Sequence, residues 1–276
     1  MPRNRTVDEA DELLARLGSL TVRARELAEL QRSRVELAVA LQRGMLPADL
    51  PTAERLRLAA RYVPAYDGLD VGGDWYDAFF LPDGRVGLSI GDVQGHNIEA
   101  AAFMGQVRVG LRALASVTSE PGELLARTND LLVSLDTELF ATCTFMRFDP
   151  VSGEVESARA GHIPCVWATG DGRSGITEDE GGPPLGIQEG TVYPTAHYRL
   201  TTGGVLVLVT DGVVEGPSLN IDEGLGHVVR LAGIAAVAGM GADALAAAVI
   251  KVSSLVGHED DAAVLVVGHD GAEEGA

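Results

Sequence analysis

Val71-Gly72-Gly73-Asp74-Trp75-Tyr76-Asp77, with Gly91-Asp92-Val93-Gln94-Gly95-His96 soon after it, decides how this 276-residue chain is read. Two more acidic corners lie far downstream, Thr210-Asp211-Gly212-Val213 and Glu259-Asp260-Asp261-Ala262. Each sets an aspartate at the end of an apolar, strand-like run, next to glycine or a second acid. A carboxylate in such a place is costly unless it is paired or bound to a cation. Four such corners point to one shared site for hard divalent metal ions. All-oxygen ligation suits Mg2+ or Mn2+. The six histidines (96, 162, 197, 227, 258, 269) are scattered and lack zinc-site spacing. Two ions about 3.5–4 Å apart can share and deprotonate a water and clamp a phosphoryl group for in-line attack, without a protein nucleophile.

Working outward, short strands surround these corners. Arg57–Val63 reads as one. Trp75–Leu81 and Arg85–Asp92 read as a hairpin turning at Asp83-Gly84. Residues 97–116 form a helical pattern, with Ala101, Met104, Val107 and Leu111 on one face. Pro121 opens a second helix to about Leu135, with Ser119 or Glu120 as cap. Strands return at Ala141–Phe148, Glu154–Ala160 and Ile163–Ala168. Gly170–Pro184 reads as a loop. Strands at 195–200 and 204–210, a helix near 241–256 and a last strand Ala262–Val267 complete the pattern. Two strand-rich halves flanking a helical pair predict an α+β domain, two sheets face to face with helices outside.

Side chains alternate faces along a strand. Asp92 shares a face with Val86, Leu88 and Ile90, Asp211 with Val205, Val207 and Val209, and Asp260 with Ala262, Val264 and Val266. This parity aims all three acids inward, where two sheets meet. Asp74 shares its face with Tyr76, Ala78 and Phe80, whereas Asp77 shares the other with Trp75.

Ahead of the strands, residues 8–46 carry Leu13, Leu17, Leu20, Ala24 and Leu27 at helical spacing. The stripe breaks at Gln31 and Arg34, so it is an imperfect coiled coil. It reads either as a helix packed on its own domain or as a signalling helix that forms a homodimer or meets an activator. Pro47 and Pro51 end it. The expected organisation is a helical segment 1–50, a catalytic domain 51–269 and a disordered tail 270–276.

Composition narrows the function classes. Lys+Arg total 21 against Asp+Glu 40, a net charge of −19. That opposes nucleic acid and anionic membrane as main partners. Hydrophobic residues make up 46%, enough for a sizeable core. The sequence shows no signal peptide and no apolar run of about 18 residues. Cys143 and Cys165 read as buried free thiols in a reducing compartment. The protein is expected to be cytoplasmic.

The motif set, in order, is Val71–Asp77, Gly91–His96, Ala160-Gly161-His162, Pro184-Leu185-Gly186, Thr210–Val213 and Asp260-Asp261-Ala262. Over residues 55–268 it resembles the bacterial SpoIIE-type (RsbU-like) branch of the PPM metal-dependent serine/threonine phosphatases. Leu41-Gln42-Arg43-Gly44-Met45-Leu46-Pro47 resembles the segment that leads into these domains. The resemblance implies a four-layer αββα sandwich of two mainly antiparallel sheets, with an N-terminal helical extension and two Mn2+ or Mg2+ ions. It implies that Asp92 bridges both ions, that the Val93 carbonyl completes one shell, and that Asp74, Asp211 and Asp260 hold the rest. The implied substrate is phosphoserine or phosphothreonine on an anti-anti-sigma (STAS) protein in a partner-switching sigma-factor pathway. In such relatives the helix pair matching 97–135 acts as a switch, and the regulatory input lies N-terminal. Many relatives carry glycine where this chain has Asn97, a residue that tolerates positive φ and caps helices well. No recognisable sensor domain precedes the catalytic part.

Other readings fare less well. A catalytically silent partner-switch module of the same fold would be marked by lost ligands, and all four acids are present. A haloacid-dehalogenase-type hydrolase needs Asp-x-Asp, but Val209 stands two before Asp211. No Gly-x4-Gly-Lys-Ser/Thr stretch supports a P-loop. Cys143 lacks the Cys-x5-Arg cradle of a thiol phosphatase. Asp260 is favoured over Asp261 as ligand. Asp77 is read either as orienting a neighbour or as part of an outer shell around the site, His96 as turn structure or substrate contact, and His162 as shaping the start of a strand.

Overall fold

The computed structural model describes residues 46–65, 72–95 and 98–270, together with 16, 18, 20–25, 28 and 29, which are helical. Most of the 8–46 stripe, Val71, His96, Asn97 and residues 271–276 lie outside the described residues.

Two five-stranded, wholly antiparallel sheets form the centre. Sheet A runs in the order β1 (Leu56–Val63), β10 (Ala262–His269), β9 (Gly204–Val209), β6 (Val166–Ala168), β7 (Ser174–Ile176). Sheet B runs β2 (Trp75–Phe80), β3 (Val86–Val93), β4 (Ala141–Phe148), β5 (Glu154–Ala160), β8 (Ala196–Arg199). Helices α1 (Ile98–Leu114) and α2 (Pro121–Val133) cover sheet B, while α3 (Asp211–Val214), α4 (Ile221–Ala238), α5 (Ala242–Val249) and α6 (Val252–Val256) belong to the side of sheet A.

Three apolar layers hold the four structural layers together. Leu88, Ile90, Met146, Phe148, Leu206, Leu208 and Leu265 fill the space between the sheets. Trp75, Met104, Leu111, Leu124 and Phe145 pack α1 and α2 onto sheet B. Val207, Val264, Val228, Leu245 and Val249 pack the other helices onto sheet A. Fully burying each such side chain contributes about 1.5–3 kcal/mol. Both sheets are therefore covered on both faces.

That double covering corrects the parity argument at two corners. Val205, Val207 and Val209 face the outer helices, and so do Ala262, Val264 and Val266. The inter-sheet residues of these strands are Leu206, Leu208, Ala263, Leu265 and Val267. Asp211 opens α3 and Asp260 precedes β10, so neither inherits a strand's alternation. For Asp92 the parity holds, because Val86, Leu88 and Ile90 do lie between the sheets.

The expected hairpin turns at Asp83-Gly84, with Gly84 at φ +83°. Glu120 caps α2, its carboxylate accepting from the Gly122 and Glu123 N–H groups. Several elements differ from the sequence reading: Gly170–Pro184, expected as a loop, contains strand β7, and the short helix α3 was not expected. The helix expected over 241–256 is two helices, and β6 begins only at Val166. α4 was not anticipated, although Asn220 and Glu223 form a capping box and Gly239 closes its end at φ +62°. Asp270, expected to open a disordered tail, donates its N–H to the Arg55 carbonyl at 2.9 Å and ion-pairs with Arg57.

Candidate metal centre

Sheet B delivers two of the acids. Asp74 immediately precedes β2 and is 1% exposed. Asp92 is the penultimate residue of β3, with Thr142 of β4 directly opposite it in register. Gly73 lets these segments close up, since a Cβ there would stand 2.3 Å from the Val93 carbonyl oxygen and 3.0 Å from Asp92 Oδ1. The Val93 N–H reaches back to the Gly73 carbonyl at 3.2 Å. Asp74, Asp92 and the Val93 carbonyl thus gather at one end of sheet B.

Sheet A delivers the others. β9 ends at Val209, Thr210 stands at the position before α3 without a side-chain capping bond, and Asp211 is the first helical residue. Thr210 donates its N–H to the Ala263 carbonyl at 3.1 Å and accepts the Ala263 N–H on Oγ1 at 2.8 Å. This ties the start of α3 to the start of β10, beside Asp260 and Asp261. Gly212 permits the approach, because a Cβ would stand 2.0 Å from the Asp261 carbonyl oxygen.

The electrostatics show that the four corners converge. Burial raises the Asp74 carboxyl well above its usual range, and Asp92, Asp261 and Asp211 raise it further. Burial, then Asp211, pushes Asp92 up to about 8, with Asp260 and Asp261 adding to it. Asp211 is raised by burial and then by Asp260. Among the described residues no arginine or lysine ion-pairs with Asp74, Asp92, Asp211 or Asp260. Asp260 is exposed, whereas Asp261 is buried and accepts the Ala65 N–H at 3.1 Å.

Among the described residues no three Asp, Glu, His or Cys side chains form a ready-made metal shell. The residues nevertheless fit a hard cation. Asp74 Oδ2 is buried with no hydrogen-bond partner. The donors are carboxylates and a backbone carbonyl, the set that Mg2+ and Mn2+ take.

The remaining candidates separate clearly. Asp77 faces α1, where its buried carboxylate meets Arg108 Nε at 3.0 Å and Arg112 Nη2 at 2.6 Å. Of the two readings of Asp77, these ion pairs match the one in which it orients a neighbour. His162 is buried and bonded to both sheets. Burial pushes the Cys143 thiol up, away from thiolate chemistry. The sequence reading missed Thr142 and Thr210, which flank the acids; only their place opposite or beside an aspartate signalled them. A cavity of about 460 Å3 lies elsewhere, between the edges at β7 and β8, lined by Trp167, Ile176, Tyr198, Leu200 and Leu206. It contains none of the acids.

The sandwich with acids at one end is the architecture of the PP2C-type phosphatases. The SiaA-PP2C domain of Pseudomonas aeruginosa superposes with a TM-score of 0.71 at 20% identity, over 90% of this chain and 99% of that one. The RsbU and RsbW domains of Rv1364c from Mycobacterium tuberculosis superpose with a TM-score of 0.74 at 30% identity, over 82% of this chain and 63% of that one. The family described as Stage II sporulation protein E (SpoIIE) matches residues 82–270, and the chain belongs to that family. The matched span holds Asp92, Asp211 and Asp260; Asp74 lies just ahead of it. Among curated proteins, the phosphoserine phosphatase RsbU of Bacillus subtilis is 26% identical over 185 residues, covering 67% of this chain and 54% of RsbU. Protein IcfG of Synechocystis is 28% identical over 228 residues, covering 72% of this chain and 35% of IcfG. The chain thus spans about a third to a half of the length of these curated relatives.

Proposed function

We propose that this protein is a divalent-metal-dependent phosphatase of phosphoserine or phosphothreonine proteins. The observation that carries this reading is the convergence of Asp74, Asp92, Asp211 and Asp260, drawn from both sheets, with no arginine or lysine paired to them among the described residues. Asp74, Asp92, Asp211, Asp260 and the Val93 carbonyl would hold two Mn2+ or Mg2+ ions. Bound there, such ions acidify water and neutralise phosphoryl oxygens. The carboxylates hold them in place, Thr210 holds the α3 corner against β10, and the glycine contacts keep the backbone close. The related fold of PstP is known in complex with two manganese ions.

The substrate we propose is a phosphorylated anti-anti-sigma (STAS) protein of a partner-switching pathway, in the cytoplasm. The naming of RsbU as a phosphoserine phosphatase supports this, as does the pairing of RsbU and RsbW domains in Rv1364c. We place the catalytic unit at residues 51–269 and a regulatory helical segment at 1–50, a candidate for homodimerisation or activator contact. No helix among the described residues is long and apolar enough to cross a membrane.

The test is hydrolysis of an aryl phosphate and of a phosphoserine STAS protein with Mn2+, with Mg2+ and with chelator, beside Asp211→Asn. Metal-dependent turnover that the variant loses is the expected result. A folded protein that binds the phosphoprotein but never turns it over, under any metal, would instead make it a silent switch module.

A further inference from the structure

His162 sits where the chain crosses from sheet B to sheet A, between β5 and β6. Its side chain is buried, at 4% exposure. Nδ1 lies 2.8 Å from Thr142 Oγ1, and Nε2 lies 3.1 Å from the Val209 carbonyl oxygen. A carbonyl can only accept, so Nε2 carries the hydrogen. Nδ1 is then left to accept from the Thr142 hydroxyl. One neutral imidazole satisfies both contacts, and burial keeps it neutral by lowering its pKa to about 4. The Arg159 guanidinium holds the same residue's backbone, donating to the His162 carbonyl at 2.7 Å.

Both partners border the acid cluster. Thr142 is the register partner of Asp92. Directly opposed strand residues share a face, with Cβ atoms about 4.5–5.5 Å apart. Val209 ends β9, two residues before Asp211. The ring therefore joins the neighbour of an acid on sheet B to the neighbour of an acid on sheet A.

We propose that His162 is a positioning residue: a neutral strut that sets the spacing between Asp74 and Asp92 on one sheet and Asp211 and Asp260 on the other. Through that spacing it tunes affinity for the divalent cation. The affinity claim rests on the metal-dependent reading above, whereas the strut is a property of the fold. Sites of this kind tolerate misplacement of only about 0.5 Å, and losing a supporting hydrogen bond typically costs about 10–100-fold in metal affinity.

Three variants test it. His162→Leu removes both contacts. His162→Gln keeps an N–H able to reach Val209. Thr142→Val removes only the hydroxyl. The first readout is amide hydrogen exchange in the chelated protein. Leucine should speed exchange about tenfold at Val93 and Gln94 and, together with them, at Thr210 and Val213, with Leu265 and Val267 unchanged. The second is Mn2+ titration followed by electron paramagnetic resonance. Affinity should fall at least about tenfold in the leucine variant, recover largely with glutamine, and be intermediate in Thr142→Val. In turnover, kcat should fall at saturating metal while KM for an aryl phosphate changes little.

Faster exchange at one sheet only, or at neither, overturns the strut. Unchanged Mn2+ affinity in His162→Leu overturns its role at the metal site. Should leucine fail to fold, the glutamine and Thr142→Val variants carry both readouts. Wild-type protein that binds no Mn2+ sinks the metal reading and the affinity claim, and the exchange result still decides the strut.

Discussion

Asp74 and Asp77 flank Trp75 and Tyr76 at the head of one strand, yet they sit in opposite electrostatic settings. Asp77 faces α1 and is fully buried against two guanidinium groups, Arg108 and Arg112, the second of which also stacks 4.7 Å from the Phe79 ring centroid. Asp74 lies on the other face, equally buried, with Oδ2 unpartnered and other carboxylates around it. Burying an anion costs several kcal/mol unless the charge is answered. At Asp77 the protein answers it. At Asp74 it does not, and burial with its acidic neighbours instead favours the protonated carboxyl until a cation takes the proton's place. The contrast separates an acid answered by charges within the protein from one that is not.

The comparison breaks most visibly at Asp92. Asp92→Asn removes the central charge of the cluster and should lower turnover by at least about a thousandfold, the scale on which preorganised charge at a reacting centre acts. The chelated variant should melt no lower than wild type, because an amide relieves repulsion among the acids. Near-normal turnover by the folded variant would show that the acids do not form the reaction centre.

Asp77→Ala should do the reverse. It strands two partly buried arginines, and breaking such a pair costs about 3 kcal/mol, the low end of the usual range because Arg112 is 40% exposed. A chain of this size should then lose roughly 10 °C in melting temperature. Turnover per folded molecule should change less than about tenfold, far short of the Asp92 effect. A calorimetric scan beside a rate measurement on the same sample checks both halves. A variant as stable as wild type but inactive would place Asp77 among the functional acids.

These two acids also show what the sequence makes legible. Strand β2 has one face toward the other sheet and one toward helices, and its mixed composition lets alternation distinguish them. Parity therefore assigned Asp74 and Asp77 to opposite sides correctly, and it placed Asp92 as well. In β9 and β10 every residue is buried. A strand covered on both faces is apolar throughout, and alternation cannot say which face looks where. Asp211 and Asp260 were thus found by their corners but aimed by a wrong argument. They reach the cluster because a short helix and a turn redirect the chain, which no period-two pattern describes. α4 was missed although its signal was present. Asn220 and Glu223 announce its start, and Leu225, Val228, Ala232 and Ala235 recur along one buried face at helical spacing. His162 was read as local strand shaping because its partners, Thr142 and Val209, are 20 and 47 residues away.

The smallest effect sharpens the comparison through pH. Asp92 has a folded-state pKa near 8 against an ordinary value of 3.8, raised first by burial and then by Asp211. Asp74 and Asp211 shift in the same direction. Between those values the folded, metal-free state binds more protons than the unfolded one. Stability must then fall as pH rises from about 4 to 8. In chelator the melting temperature should drift down by several degrees across this window, and Mn2+ should recover most of it at the upper end, where the carboxylates are free to bind. In Asp92→Asn the drift should shrink, because one titrating group is gone. If the slope in chelator rose with pH instead, the acids would already be answered by charges within the protein, and the distinction between Asp74 and Asp77 would fail at its physical root.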